Sequence, residues 1–478
     1  MLKKYTPSKY TSYLLFLLPL AFYFFIDMSR ESDIWFLLSH GREVLKNGLP
    51  HIEFLTIHNG FSFVMQQWLS STLFYIIYNY LGDVGLYIFI YIINLLIIFF
   101  LYKICMIISN GKVYASVLIT VITDLLLELI FIIPRPQIFS ILILIIELYI
   151  LELFIKNKSH KSIYFIILLS ILLINLHSSI WPILFIFMGP YLAELLFLYI
   201  KKKDKRFIKL LIIFMISILV GFINPYGIEG MTYFMRSYGI KEINLFVGEM
   251  HHIGFDNKPT SWLSMLLIVY SIIAYYLTFK NRKNVSIHQL LFLLGTTFMA
   301  YLNLRNSSLF FISTLPFLSN YISIKDGNNL TIPYKTYLLC LIVIIVAIFS
   351  SIKEKNYILK SPLQEIVNYL DKNANKDIKL FTNFGDGPYF EYNNYKVYID
   401  ARAEVFLKAN NKKEDVFLEY INLLINKLDI DEFLKKYNFD YLVVQDEETL
   451  YKHLKRDKSY ELVYDSNGYY LFKRINNN

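Results

Sequence analysis

Apolar runs of about twenty residues recur along most of this chain, separated by short clusters of charge. They lie at about 13–28, 85–108, 113–134, 137–155, 162–177, 179–200, 207–224, 261–279, 287–303, 308–324 and 334–352. A helix rises about 1.5 Å per residue, so ~20 apolar residues cross the roughly 30 Å of bilayer hydrocarbon. The pattern predicts an all-α polytopic membrane domain of about eleven transmembrane helices over residues 1–352. The stretch 67–81 is shorter, rich in aromatics and polar along one side, and predicts a helix lying on the membrane surface. Beyond about Lys353 the period changes. Alternating runs at Lys379–Thr382, Lys396–Ile399, Tyr441–Val444, Glu461–Tyr464 and Tyr469–Lys473, with helical patterns at 412–427 and 429–437, predict a soluble α/β domain over 353–478.

Composition sharpens this picture. With 56% hydrophobic residues, 18% charged residues and a mean hydropathy of +0.44, a 478-residue chain is too apolar for a cytosolic enzyme. The net charge of +9 does not point to nucleic acid, because the basic residues sit in the loops between apolar runs, where they set topology. Lys3, Lys4 and Lys9 put the N-terminus on the cytoplasmic side of the cell membrane, ahead of a retained first span. Counting 67–81 as a surface helix keeps the basic stretch Lys201–Arg206 inside; counting it as a span would place that stretch outside. An odd number of spans then sends the C-terminal domain to the outer face, together with two long loops, 29–83 and 225–260. Cys105 and Cys340 fall inside apolar runs and read as small hydrophobes, so no disulfide is inferred. No glycine-rich phosphate loop, zinc-type Cys/His spacing or Gly-x-Ser-x-Gly turn is present, and ATP hydrolysis and serine-hydrolase chemistry lose support.

The first outer loop gathers acids and aromatics at the membrane surface: Glu31, Asp33, Trp35, Glu53, Gln67 and Trp68. A carboxylate shielded by lipid can act as a base or hold a divalent metal, and Asp33 suits either role. It also stands where an N-cap would be expected for a helix over Ile34–Leu45. Arg135 and Arg305 sit at outer ends of spans, either snorkelling to the interface or holding an anion. Asp124 and Glu128 lie four apart on one helix face, suggesting a polar contact between helices or a relay; intramembrane acids are costly enough to default to function. The pair His251-His252, beside Glu249 and Asp256, reads as solvated loop, and His177 as a better pocket residue. Asp400 and Arg402 project to one side of a strand end, either to pair or to meet an acceptor.

Taken in order, Asp33-Ile-Trp-Phe, Gly41-Arg42, Gly48-Leu-Pro50, Trp68-Leu-Ser70, Pro134-Arg135-Pro136-Gln137, Asn175-Leu-His177, Asn224-Pro225-Tyr226-Gly227, Arg305 and Tyr398-Ile-Asp400-Ala-Arg402 resemble a bacterial branch of the GT-C membrane glycosyltransferases. The resemblance covers nearly the whole chain. It implies sugar transfer at the outer face from a polyprenyl-phosphate-linked sugar to a glycan, lipid or protein acceptor of the cell envelope. By that resemblance Asp33 is the catalytic acid of the first outer loop, Arg135 and Arg305 bind the donor phosphate, and Glu31, Trp35, Glu53, Gln67, Trp68, Gln137, His177, Asp400 and Arg402 contact substrate. A divalent metal is a possible cofactor. A non-enzymatic carrier or assembly factor for lipid-linked glycans is the alternative, and it would depend on Asp124 and Glu128 instead.

Overall fold

The computed structural model describes residues 12–156, 161–236, 238–255, 258–322, 334–446 and 448–475. Lys3, Lys4, Lys9, Asp256 and Lys325, and the side chain of Cys340, lie outside the described residues. The chain forms two compact units, each built from separated segments. The first comprises Met1–Met28, Leu86–Phe234 and Val247–Tyr357; the second comprises Ser29–Gly85, Met235–Phe246 and Ile358–Asn478.

The helices of the apolar runs, together with Ile34–Asn47, are α1 Leu17–Phe22, α2 Ile34–Asn47, α3 Trp68–Ile108, α4 Val113–Ile130, α5 Gln137–Ile155, α6 Phe165–Leu176, α7 Trp181–Lys202, α8 Arg206–Leu219, α9 Lys258–Lys280, α10 Ile287–Leu302, α11 Ser307–Leu318 and α12 Tyr334–Glu354. Helices therefore occupy each of the apolar runs. About eleven spans were expected; five described helices, in α3, α4, α5, α7 and α9, are long and apolar enough to cross a membrane. Leu14–Phe25, Ser162–Leu176 and Ile287–Leu302 form shorter apolar helices. Pro134-Arg135-Pro136 accounts for the break between α4 and α5, since proline removes a backbone donor and clashes with the preceding turn. α3 is interrupted at Gly82, whose φ of 63° and ψ of −162° suit glycine best, so the stretch around 67–81 and the span from 85 are separate helical pieces.

The first unit is held by aliphatic and aromatic packing. One core cluster joins Leu267, Tyr270 and Ala274 of α9, Leu293 and Ala300 of α10 and Phe310, Phe311 and Leu315 of α11. Tyr23 packs at 4.8 Å from both Tyr87 and Tyr91, and Tyr23 and Tyr87 each donate a hydroxyl to the other's carbonyl. Much apolar surface still faces outward, as at Ile272, Phe279, Leu294, Phe298 and Phe349, which hydrocarbon satisfies and water does not.

The second unit is built on a five-stranded sheet of order β2-β1-β3-β5-β4. Its strands are β1 Lys379–Phe381, β2 Lys396–Val397, β3 Tyr441–Gln445, β4 Tyr460–Ser466 and β5 Tyr469–Arg474, close to the five alternating runs of the sequence. β1 runs parallel to β2 and β3, while β5 pairs antiparallel with β3 and β4. β3 is central and buried along Tyr441–Val444, as its β-branched and aromatic content allows. The edge beyond β2 is covered by the 29–83 segment: Ile57 donates its amide to the Val397 carbonyl at 2.9 Å, and Thr56 pairs with Val397 in parallel. Residues 29–83, expected as a loop of the membrane domain, thus fold within the same unit as the C-terminal sheet.

α2 lies against two partners in this unit. Trp35 meets Tyr389 at 4.9 Å and Tyr392 at 5.0 Å, and Arg42 donates to the Tyr392 carbonyl at 2.9 Å. On its other contact, Gly41 touches the start of α3 so closely that a Cβ would stand 2.2 Å from the Ser71 carbonyl oxygen and 2.5 Å from Tyr75 Cβ. Gly41→Ala is therefore expected to lower stability by about 1–3 kcal/mol, the usual cost of overpacking, read as an earlier thermal unfolding of the detergent-solubilised protein.

Candidate functional site

Asp33 occupies the N-cap position of α2 but makes no side-chain cap, so its expected role as a capping residue is corrected. Its backbone is already helical, with φ −63° and ψ −21°, and the carboxylate does not turn back onto the first-turn amides. Glu31 serves that turn instead, accepting the Asp33 amide on Oε1 at 3.0 Å. Glu31 is buried and Asp33 half-buried. Trp35 is buried against the aromatic pair above; Gln67 is buried, and its carbonyl accepts the Ser71 amide at the start of α3, beside a half-buried Trp68.

Glu53, Asp400 and Arg402 come together away from water. Arg402 is 4% exposed and donates to Glu53 at 2.9 Å, to Asp400 through Nε at 2.9 Å and again through Nη2, and to His40 Nε2 at 3.0 Å. Glu391 completes the group at 3.5 Å. Because a guanidinium only donates, His40 must accept, which makes its ring neutral with the proton on Nδ1. Burial and then Arg402 hold the His40 pKa well below its ordinary value. Burial and the neighbouring Asp400 push the Glu391 carboxyl well up, so it carries a proton; for Asp400 burial acts upward too, but Arg402 prevails and lowers it. Two carboxylates, one carboxylic acid and one guanidinium then leave a formal charge of −1 in the cluster. Sequence reasoning found Asp400, Arg402 and Glu53 but neither His40 nor Glu391, whose only signal was being polar within apolar surroundings.

The second constellation lies in the first unit, at the ends of α5 and α10. Arg135 Nη1 stands 3.0 Å from Glu249 Oε2, and Arg305 Nη1 stands 3.6 Å from Glu249 Oε1. One carboxylate thus joins two guanidiniums from distant parts of the chain, and the three carry a formal charge of +1. The loop bearing Glu249 is pinned by backbone hydrogen bonds from Leu304 to the His251 carbonyl at 3.0 Å and from Ile253 to the Tyr301 carbonyl at 2.9 Å. Nearby, buried His177 bonds through Nδ1 to Ser140 of α5 at 2.8 Å, and Gln137 is buried at the first turn of that helix. Glu249 had been noted only as a neighbour of the histidine pair. Although partial burial raises its pKa, the two arginines hold it down to about 2, from an ordinary 4.5.

Asp124 and Glu128 of α4 both accept from Asn94 Nδ2, at 3.4 and 2.7 Å, which is the polar helix contact anticipated for them, through a partner that sequence reasoning missed. A further cluster links α5, α7 and α10, where the His288 ring bridges Glu152 at 3.0 Å and Glu194. Among the described residues, the one group of three side chains spaced to hold a metal ion is Asp431, His453 and Asp457 in the second unit.

No family model matches the sequence, and no curated protein matches it. Solved structures do. The chain is similar to the oligosaccharyltransferase of Archaeoglobus fulgidus tethered to an acceptor peptide containing the NVT sequon, at 10% identity with a TM-score of 0.58, over 88% of this chain and 65% of that one. It is likewise similar to AglB, the archaeal oligosaccharyltransferase of the same organism, in complex with an inhibitory peptide and a dolichol-phosphate, at 10% identity and a TM-score of 0.57, over 94% of this chain and 71% of that one. The chain spans about two thirds of the length of these neighbours. The likeness shows the fold alone: a mostly helical chain with apolar helices and a small sheet, arranged as in these oligosaccharyltransferase structures.

Two outcomes follow from these geometries. Arg402→Gln strands the acids of a buried ion cluster and should cost about 3–5 kcal/mol, against less than about 1 kcal/mol for Lys376→Gln, an exposed pair with Asp371, both read by thermal unfolding. Glu249, with a depressed folded pKa, contributes stability that is present above pH 4.5 and lost as pH falls towards about 2. Glu249→Gln should remove that part of the acid sensitivity between these limits.

Proposed function

We propose that the chain is an inverting membrane glycosyltransferase, moving a sugar from a polyprenyl-phosphate-linked donor to a cell-envelope acceptor on the outer face of the cell membrane. The observation that carries this reading is the meeting of Arg135 and Arg305 on a single carboxylate in a GT-C fold. Planar, permanently charged donors that converge on one anion are suited to a phosphate. The likeness to oligosaccharyltransferases, one of them bound to dolichol-phosphate, supports a lipid phosphate as the class of donor.

In this mechanism Asp33 takes the proton of the acceptor hydroxyl as that oxygen forms its bond to the anomeric carbon. The bond from the anomeric carbon to the donor phosphate oxygen breaks, its electrons leave with the phosphate, and Arg135 and Arg305 hold the charge that develops there. His177 and Gln137, beside Arg135 in sequence or structure, complete the donor side. Of the residues assigned to the acceptor, half-buried Trp68 is the one left to meet it, while Trp35 and Gln67 are buried and support the starts of α2 and α3. Glu53, Asp400 and Arg402 act as positioning residues: buried as one ion cluster with His40 of α2, they fix the helix that begins at Asp33. A hard divalent ion takes one or two carboxylates from protein; Asp33 would be its ligand, since buried Glu31 already holds the Asp33 amide, and such an ion would screen phosphate charge when bound.

The helical polar contact of Asn94 with Asp124 and Glu128 gives those acids a structural employment, which favours the enzyme over the carrier. Asp33→Asn should abolish transfer while leaving membrane abundance intact, compared by mass spectrometry of surface glycans with a deletion strain. A deletion that loses a glycan while Asp33→Asn retains it would overturn the enzymatic reading. Arg135→Gln and Arg305→Gln should each reduce transfer by about 10²-fold or more, the scale seen on removing a donor to developing charge, measured with membranes and a lipid-linked sugar donor.

A further inference from the structure

The hairpin of α9 and α10 carries a groove at the end remote from Arg305. Tyr275 and Phe279 of α9, Arg282 of the turn, and Ser286, Leu290 and Leu293 lie along its walls, around about 320 Å³. That volume is at the small end of ligand sites, enough for part of a chain. The lining is mainly apolar. At its mouth the Arg282 guanidinium lies 4.9 Å from the centre of the Phe279 ring, and Lys280 and Lys283 add two more exposed cations within the same turn. The surface around the groove is exposed and apolar: Tyr276 is 61% exposed and Phe279 68%, with Leu290 and Leu294 beside them.

A slot of hydrocarbon character that opens on an apolar surface and ends in a cluster of positive charge is complementary to one kind of molecule. We propose that this groove binds a glycerophospholipid with an anionic headgroup, one acyl chain lying along Leu290 and Leu293 and the phosphate meeting Arg282. The site is separate from the arginine pair of the proposed reaction, because from Leu293, the groove residue furthest along α10, about 14 Å of helix remain before its end at Leu302 and the turn that carries Arg305. Occupancy has a structural consequence. Ser286 and Ile287 line the groove immediately before His288, whose ring joins Glu152 of α5 to Glu194 of α7. A bound lipid therefore braces the point at which three helices are joined through the His288 ring.

The test uses the full-length protein in detergent, offered phosphatidylglycerol and phosphatidylcholine with identical acyl chains, with retained lipid counted by native mass spectrometry. The wild type is expected to keep phosphatidylglycerol in preference by about fivefold, the equivalent of one basic residue acting at a charged lipid surface. Arg282→Gln, at an exposed position, should bring the ratio close to unity while eluting as a monodisperse species. Leu290→Trp, which fills the slot without altering charge, should lose the retained molecule of either lipid, and glycerol phosphate, which has no chain, should fail to compete. An unchanged preference in Arg282→Gln, unchanged retention in Leu290→Trp, or displacement by glycerol phosphate would each overturn the proposal.

Discussion

A single buried guanidinium organises the second compact unit. Arg402 is enclosed by Glu53, Asp400, Glu391 and His40, drawn from the 29–83 segment and from two parts of the C-terminal region. Removing such charges from water costs several kcal/mol per ion, and their mutual attraction recovers it only when every partner is in place. The cluster therefore adds little net stability over an apolar core of similar volume. What it imposes is a condition: α2, the loop at Glu53 and the strand end at Asp400 are admitted together or not at all.

Much of this architecture was legible from periodicity. The apolar runs became helices, and the alternating segments after Lys353 became the five strands, because side-chain period is a local property that burial on one face makes visible. Gly82 and the Pro134-Arg135-Pro136 segment punctuated the chain where backbone chemistry requires. What could not be read were the long-range partners. Nothing near Arg402 in sequence announces His40, and nothing near Asp124 announces Asn94, since a polar residue in an apolar stretch has the same local signature whether it binds a ligand or another helix. Helix count is the other gap: segments such as α6 and α10 are apolar but short, so length alone does not decide which of them span.

The two arginines show how a sequence-level suspicion can be right about residue type and incomplete about circumstance. Their outward positions suggested anion binding, and the structure gives them an anion from the protein itself. Glu249 keeps two like charges close without the repulsion that bare guanidiniums would feel, and its partly exposed side chain keeps the group in contact with solvent. A phosphate arriving there competes with a carboxylate already in position, so the affinity of the pair for any ligand is a difference between two ion pairs.

The segmented make-up of the second unit bears on how the protein is made. Ribosomes deliver Glu53 and His40 hundreds of residues before Arg402, and until then the loop holds a carboxylate whose permanent neighbour has not been synthesised. Pairings so distant along a chain close slowly and leave surface open to wrong association in the meantime. Most of the apolar helices are made between that segment and the last strand, which makes this interval the vulnerable period of biogenesis.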